Sequence, residues 1–418
     1  MGGVINGKPE ESEFMTVSDM GIYWHVFFFM FGAMAGSFLN VCIVRMPRNK
    51  SIVFPSSHCP QCLKAVRWFD NIPLFSFLLL GMKCRDCHQP IAWRYFVVEL
   101  LTAALFLWSY IVFGFSWALV PVFVLTGLLI VASFVDLEWR IIPDEVSVGG
   151  MCAGFILSMI FPVLHKGPAH NILSAGNITA IIMAGSCMVI CGFNLWRRKL
   201  PLMKEDSQVF ILAFSLLFLQ WAAITLMRVL PFFAVSLAAL ADALQGAIIG
   251  GCSLWLTGLI GEVLISKRVV TEFDFKGVVE DPKALLTTLH KDGYVDARGN
   301  LQQAFRDVKL VADMRLSSVA ETRRPEIYEI LKSVEEGGVM GWGDVKLLAM
   351  AGAFLGWQAA LIAFFIAPFF GVVFGVVKMI RRQDSAIAYG PFLAVGILVS
   401  LYRGDSVIVW VLSMYGMN

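Results

Sequence analysis

Residues 341–357 read GWGDVKLLAMAGAFLGW. One aspartate, Asp344, stands between a glycine turn and an apolar run of helical length. A carboxylate at the edge of a membrane segment is costly to place. Two questions follow: does the rest of the chain span a membrane, and what does the aspartate do there? The chain has 418 residues, of which 58% are hydrophobic and only 15% charged. Soluble domains carry about 25% charged residues. Long apolar runs recur from near residue 21 to the C-terminus, and the mean hydropathy is +0.74. The fold class is therefore an all-α polytopic membrane protein with about 8–10 transmembrane helices. The net charge of +2 comes from charges clustered by loop, and no basic tract suggests nucleic acid as a partner. The first residues, MGGVINGKPEESEF, lack the basic start and cleavage pattern of a signal peptide.

Apolar spans are predicted at 22–44, 95–114, 117–135, 146–163, 173–195, 208–229 and 240–265. A short helix at 345–356 and spans at 358–378 and 387–402 follow, and a last apolar stretch, 406–417, is too short to count alone. The loop 45–95 carries Arg45, Arg48, Lys50, Lys64, Arg67, Lys83, Arg85 and Arg94 against Asp70 and Asp86. The positive-inside rule makes this loop cytoplasmic. Five regions result: 1–44, an N-terminal segment with the first span; 45–95, a cytoplasmic four-cysteine loop; 96–266, spans carrying Asp136; 267–338, a soluble cytoplasmic insertion; and 339–418, C-terminal spans carrying the GWGD sequence. The insertion holds 12 Lys/Arg and 13 Asp/Glu, too polar for a bilayer.

Alternation of the spans puts the loop DLEWRIIPDE, residues 136–145, on the same side as Gly341-Trp342-Gly343-Asp344. Asp136 and Asp344 then lie at one membrane depth. Two carboxylates that meet there cannot both ionise easily and share a proton, the arrangement that lets aspartic proteases use one as base and the other as acid. Gly341 and Gly343 permit tight backbone geometry beside Asp344. The plainer readings are an N-cap for Asp344, an interfacial pair with Arg140 for Asp136, and helix capping for Asp144. Lys346 reads as a snorkelling anchor or an ion-pair partner. Glu99, at the start of the second span, belongs to a further site or caps its helix.

Residues 58–90 contain Cys59-x-x-Cys62 and, after 21 intervening residues, Cys84-x-x-Cys87. Two such knuckles supply four thiolates for a closed tetrahedral site, which favours structural Zn2+. His58 and His88 flank the knuckles and are not needed for four ligands. The remaining cysteines lie in apolar spans, where packing is the default.

GSFLNVCIVRMPR at 36–48, the paired knuckles, Asp136 with IIPD at 141–144, GWGDVKLLAMAGAFLGW and YGPFLAVG at 389–396 together resemble the bacterial type IV prepilin peptidases, a GxGD-type membrane aspartic protease family. The resemblance covers the first 150 residues and about 340–400. It implies cleavage of a basic leader after glycine from type IV prepilins or type II secretion pseudopilins, at the cytoplasmic face of the bacterial inner membrane. It further implies N-methylation of the new terminus with S-adenosylmethionine, and pilus or type II secretion machinery as a partner beside the lipid bilayer. The family's catalytic aspartates map onto Asp136 and Asp344, with Asp144 at the family's IPD position. A peptidase without methyl transfer, or a proton- or ion-coupled transporter using the same aspartates, is the alternative. The extra spans at 173–195 and 208–229 and the insertion depart from the family's usual size.

Overall fold

A computed structural model describes residues 17–48, 50–59, 61–165, 178–186, 204–230, 233–269, 341–380 and 388–414. The described residues are helical and contain no sheet; two isolated bridges lie in the cysteine loop. The helices are α1 (Val17–Arg45), α2 (Phe75–Leu79), α3 (Trp93–Phe113), α4 (Leu119–Trp139), α5 (Asp144–Ile160), α6 (residues 178–186), α7 (Lys204–Val229), α8 (Ala234–Val269), α9 (Trp342–Leu355), α10 (Trp357–Ile380) and α11 (Gly390–Met414). Beyond Val269, the expected soluble insertion lies outside the described residues. Five described helices are long and apolar enough to cross a membrane: those over Gly21–Arg48, Trp93–Phe113, Leu119–Trp139, Ala234–Ile260 and Trp357–Lys378. The expected span at 146–163 is α5, a helix of 17 residues at the lower end of the range of about 17–25 that crosses a bilayer. The stretch at 406–417, too short to count alone, continues α11 to Met414.

The chain divides into two compact units. The first comprises residues 1–42 and 51–127. Its helices α1 and α3 approach closely at Gly32, where a Cβ would stand 2.7 Å from the Ala103 Cα. Aromatic rings fill the space toward the start of α4. Phe106 stacks on Phe123 with centroids 4.2 Å apart, and Phe28 stacks on Tyr110 at 4.5 Å. The short α2 is held by its buried Phe77, stacked on Phe96 at 5.3 Å.

The second unit comprises residues 43–50 and 128–418. Its centre is α9, whose side chains from Leu347 to Phe354 are all buried. A helix apolar on every face needs neighbours on every face, and α5, α8, α10 and α11 supply them. Small residues set the distance. Gly246 of α8 and Gly352 of α9 face each other so closely that a Cβ on either would overlap the other's carbonyl. Past the end of α9, Gly356 adopts φ +80° and lies against the carboxylate of Asp242. Asp242 in turn pairs with Nδ1 of His165 at 2.9 Å, and both side chains are buried.

Candidate functional site

Asp136 occupies the last turn of α4. The helix stops just beyond it because Arg140 takes a left-handed conformation, φ +57°. The Asp136 side chain is 7% exposed. Its Oδ2 accepts a hydrogen bond of 2.9 Å from the backbone N–H of Gly390, the first residue of α11. A Cβ at Gly390 would stand 2.8 Å from that oxygen, so this approach requires glycine.

Asp344 lies in the first turn of α9 and is 9% exposed. The N-cap position belongs to Gly341, with no side-chain cap bond, so Asp344 is not the cap. A Cβ at Gly341 would lie 3.0 Å from the Asp344 carboxylate, and one at Gly343 would lie 2.9 Å from the Cβ of Ile142. The first glycine thus leaves room for the carboxylate. The second lets the turn before α5 pack against the start of α9. Asp344 Oδ1 is buried without a hydrogen-bond partner, and the Asp136 charge is close enough to act on the Asp344 carboxyl. Tyr389, half-buried beside Gly390, is also close enough to feel the Asp344 charge.

The capping expectation for Asp144 is corrected here. Asp144 is the first residue of α5, its N-cap is Pro143, and no side-chain cap bond forms. Its carboxylate instead pairs with Lys346 Nζ across the two helix starts. That ammonium also lies 5.4 Å from the centre of the Trp342 ring. Lys346 is therefore an ion-pair partner rather than a free snorkelling anchor. The pair joins α5 to α9 near Asp344, with the Asp144 side chain 69% exposed. Exposed pairs contribute about 0.2–1 kcal/mol, so Asp144→Asn should leave the melting temperature of the detergent-solubilised protein nearly unchanged. Whatever activity the site has should fall only severalfold, as a steady-state assay of the variant would show.

In the first unit the four thiols of Cys59, Cys62, Cys84 and Cys87 lie within 4.8 Å of one another. Cys59 and Cys87 Sγ are 3.8 Å apart, near the edge of about 3.8 Å that a tetrahedron with Zn–S bonds of about 2.3 Å requires. The two knuckles repeat one backbone pattern. Leu63 N–H donates to Cys59 O, and His88 N–H donates to Cys84 O, each at 2.9 Å. The residue after each second cysteine is left-handed: Leu63 at φ 59° and His88 at φ 56°. Each turn aims two sulfurs inward. His58 and His88 contribute no atom to the cluster, and the four cysteines fit a zinc ion. The backbone N–H of Cys62 is the largest of the influences that bring the Cys59 thiol down to about 7.

Two surface pairs fasten the loop. Arg85 donates to Asp70 through Nε at 2.8 Å and Nη2 at 2.6 Å, and Lys64 pairs with Asp86 at 3.0 Å. The Arg85 hydrogen bond, followed in size by opposing desolvation, holds the Asp70 carboxyl below its usual range. A carboxyl depressed on folding stabilises the loop above its unfolded pKa and loses that contribution as pH falls through its folded value. Thiolate ligands must also be deprotonated. Acid should therefore promote metal release in a chromophoric-chelator assay, and Asp70→Asn should flatten part of that dependence. Cys84→Ser should release metal at neutral pH.

Two residues carry contacts that the side-chain pattern does not disclose. Gly390 contacts Asp136 through its backbone N–H, and Tyr389 precedes it in the chain. The only sequence signal for either is the stretch 389–396.

A family model for the Bacterial Peptidase A24 N-terminal domain matches residues 30–113, and one for the Type IV leader peptidase family matches residues 325–376. A Myxococcus xanthus protein named "Prepilin leader peptidase/N-methyltransferase" is 37% identical over 241 residues, 58% of this chain and 66% of that protein. A Klebsiella pneumoniae protein of the same name is 36% identical over 142 residues, 32% of this chain and 62% of that protein. These two alignments thus span just under two thirds of the relatives' length. An Aeromonas salmonicida protein, again of that name, is 24% identical over 94% of this chain and 96% of its own length. No solved structure matches. Both family models fall on the parts that hold the cysteine cluster and the GWGD turn, and in those parts the chain is similar to the type IV leader peptidase family.

Proposed function

We propose that this protein is a prepilin peptidase: a membrane aspartic endopeptidase with Asp136 and Asp344 as its catalytic pair. The observation that carries the reading is the meeting of two buried carboxylates from α4 and α9, one held by a backbone N–H and the other with an unpartnered oxygen. Such a pair binds one proton between its members. The ionised carboxylate removes a proton from water as the water oxygen bonds to the scissile carbonyl carbon. The protonated partner gives its proton to the carbonyl oxygen. Collapse of the resulting gem-diol breaks the C–N bond, and a proton passes to the leaving nitrogen.

The substrate follows from the relatives' names and from charge. A type IV prepilin or pseudopilin would place its apolar helix in the bilayer, with its basic leader at the Lys- and Arg-rich cytoplasmic face of the inner membrane. Pilus or type II secretion assembly would then take up the product. Zinc held by Cys59, Cys62, Cys84 and Cys87 would brace the loop and supply no open coordination position. The relatives' names also carry N-methyltransferase, so methylation of the new terminus belongs to the proposal; S-adenosylmethionine would supply an electrophilic methyl group. The names favour this reading over a transporter built on the same carboxylates. Purified protein mixed with a prepilin should yield a product cut after glycine and heavier by one methylene, read by mass spectrometry. A zinc-loaded, folded protein that leaves several prepilins intact would refute the peptidase reading.

A further inference from the structure

The first unit holds another buried carboxylate, and peptide hydrolysis as described above makes no use of it. Glu99 of α3 is 8% exposed. Its Oε2 accepts from the Leu74 backbone N–H at 2.8 Å, and the carboxylate also hydrogen-bonds Ser37 of α1. A carboxylate offers about four lone-pair positions, so two bonds leave capacity. One turn away along the same seam, Asn40 of α1 is 1% exposed. Its side-chain nitrogen donates to the Tyr95 carbonyl at 3.0 Å, which fixes the amide, and its Oδ1 is buried with no partner. On the other side of Glu99, Thr102 gives its hydroxyl proton to the Val98 carbonyl at 2.7 Å and retains only lone pairs. Gly36 holds the seam closed between them, its virtual Cβ 2.7 Å from the Glu99 Cα and 3.0 Å from Thr102 Oγ1.

The seam is rich in acceptors and short of donors. Among the described residues no cationic side chain forms a salt bridge with Glu99. Glutamine would satisfy Leu74 and Ser37 as well, without a charge in an apolar surrounding, so hydrogen bonding within the fold does not account for a carboxylate here. The complementary group is compact, cationic and carries several N–H donors. A primary ammonium has three.

We propose that the Glu99–Asn40 seam binds a primary ammonium group of a methyl-transfer substrate. Two sources present this chemistry: the free N-terminus of a processed chain, and the amino end of S-adenosylmethionine. Glu99 supplies the counter-charge and Asn40 Oδ1 a second acceptor. The proposal rests on the methyl-transfer reading above, and its test reads binding separately from turnover.

The test uses full-length, zinc-loaded protein in detergent and isothermal calorimetry. The probes are S-adenosylhomocysteine and a short apolar peptide with a free N-terminus, with its N-acetylated form as control. Glu99→Gln keeps an oxygen for the Leu74 N–H. Asn40→Ala removes the unpartnered Oδ1 and leaves the Leu74 contact intact, so it serves as the second variant if the first does not fold. Each should weaken one probe at least tenfold, keep leader cleavage within twofold of wild type, and lower methyl addition in parallel. Loss confined to S-adenosylhomocysteine assigns the donor's ammonium; loss confined to the free-amine peptide assigns the acceptor's. Unchanged affinity for both probes in folded variants overturns the proposal, as does a wild type that binds neither. A wild type that cleaves and binds but adds no methyl defeats the methyl-transfer reading alone, and ammonium binding is then judged on the calorimetry.

Discussion

Replacing Asp344 by Asn should reduce leader cleavage by about 10²–10⁴-fold, the span that a positioned acid or base contributes, and Asp136→Asn should do the same. The two losses should not multiply in the double variant. Groups that share one proton act as a unit, and removing either removes the function of both. Asparagine is nearly isosteric, so the fold should persist. At position 136 the amide oxygen can still accept from the Gly390 N–H. At position 344 the substitution removes a carboxylate that stands buried beside another, so the melting temperature should hold or rise. Initial rates of leader release, followed by mass spectrometry beside thermal melting, separate chemistry from folding. Undiminished cleavage by Asp344→Asn would rule out the pair.

The second large effect concerns folding. Gly352→Val should prevent accumulation of folded protein, costing at least about 3 kcal/mol, the upper part of the range for an overpacked core. On an isolated helix the change from glycine would be favourable, by up to about 1 kcal/mol for alanine. Here the sign reverses, because the new Cβ would enter the space held by the Gly246 carbonyl, which is backbone of a packed helix and cannot swing aside. Gly149→Ala is the matched control. Gly149 also lies inside a helix, but nothing stands within 4 Å of its virtual Cβ. It should be neutral or slightly stabilising. Detergent-solubilised melting curves of the two variants give the comparison, and a Gly352→Val protein that melts like wild type would contradict the packing argument.

Much of this was legible in the sequence, because bilayer length and metal geometry are strict. The runs at 22–44, 95–114 and 117–135 became α1, α3 and α4 within a few residues, apart from the start of α1. Cysteine spacing alone anticipated a four-sulfur cluster. The placing of Asp136 and Asp344 at one depth anticipated that they lie close enough to interact. What escaped depends on backbone atoms and on three-dimensional proximity. Gly390 acts through an N–H that every non-proline residue possesses, so no residue pattern marks it. Asp144 sits where a cap is expected, yet its partner, Lys346, is 202 residues away in sequence. The boundary within residues 387–417 was misplaced because Arg403 and Asp405 interrupt the apolar run, while α11 continues through them.

The Gly390 contact also governs when the site is completed. Asp136 and Gly390 are 254 residues apart, and Asp344 is made between them. During translation the chain therefore carries its first carboxylate long before the second carboxylate or the amide that holds the first exists. At about 5–20 residues per second, that interval lasts roughly 13–50 seconds. A chain that ends before residue 344 lacks the second carboxylate, and one that ends between residues 344 and 390 carries both carboxylates without the Gly390 backbone clamp. Under the proposed function such products lack a complete, clamped catalytic site, and the order of synthesis does the work that a propeptide does for many soluble proteases.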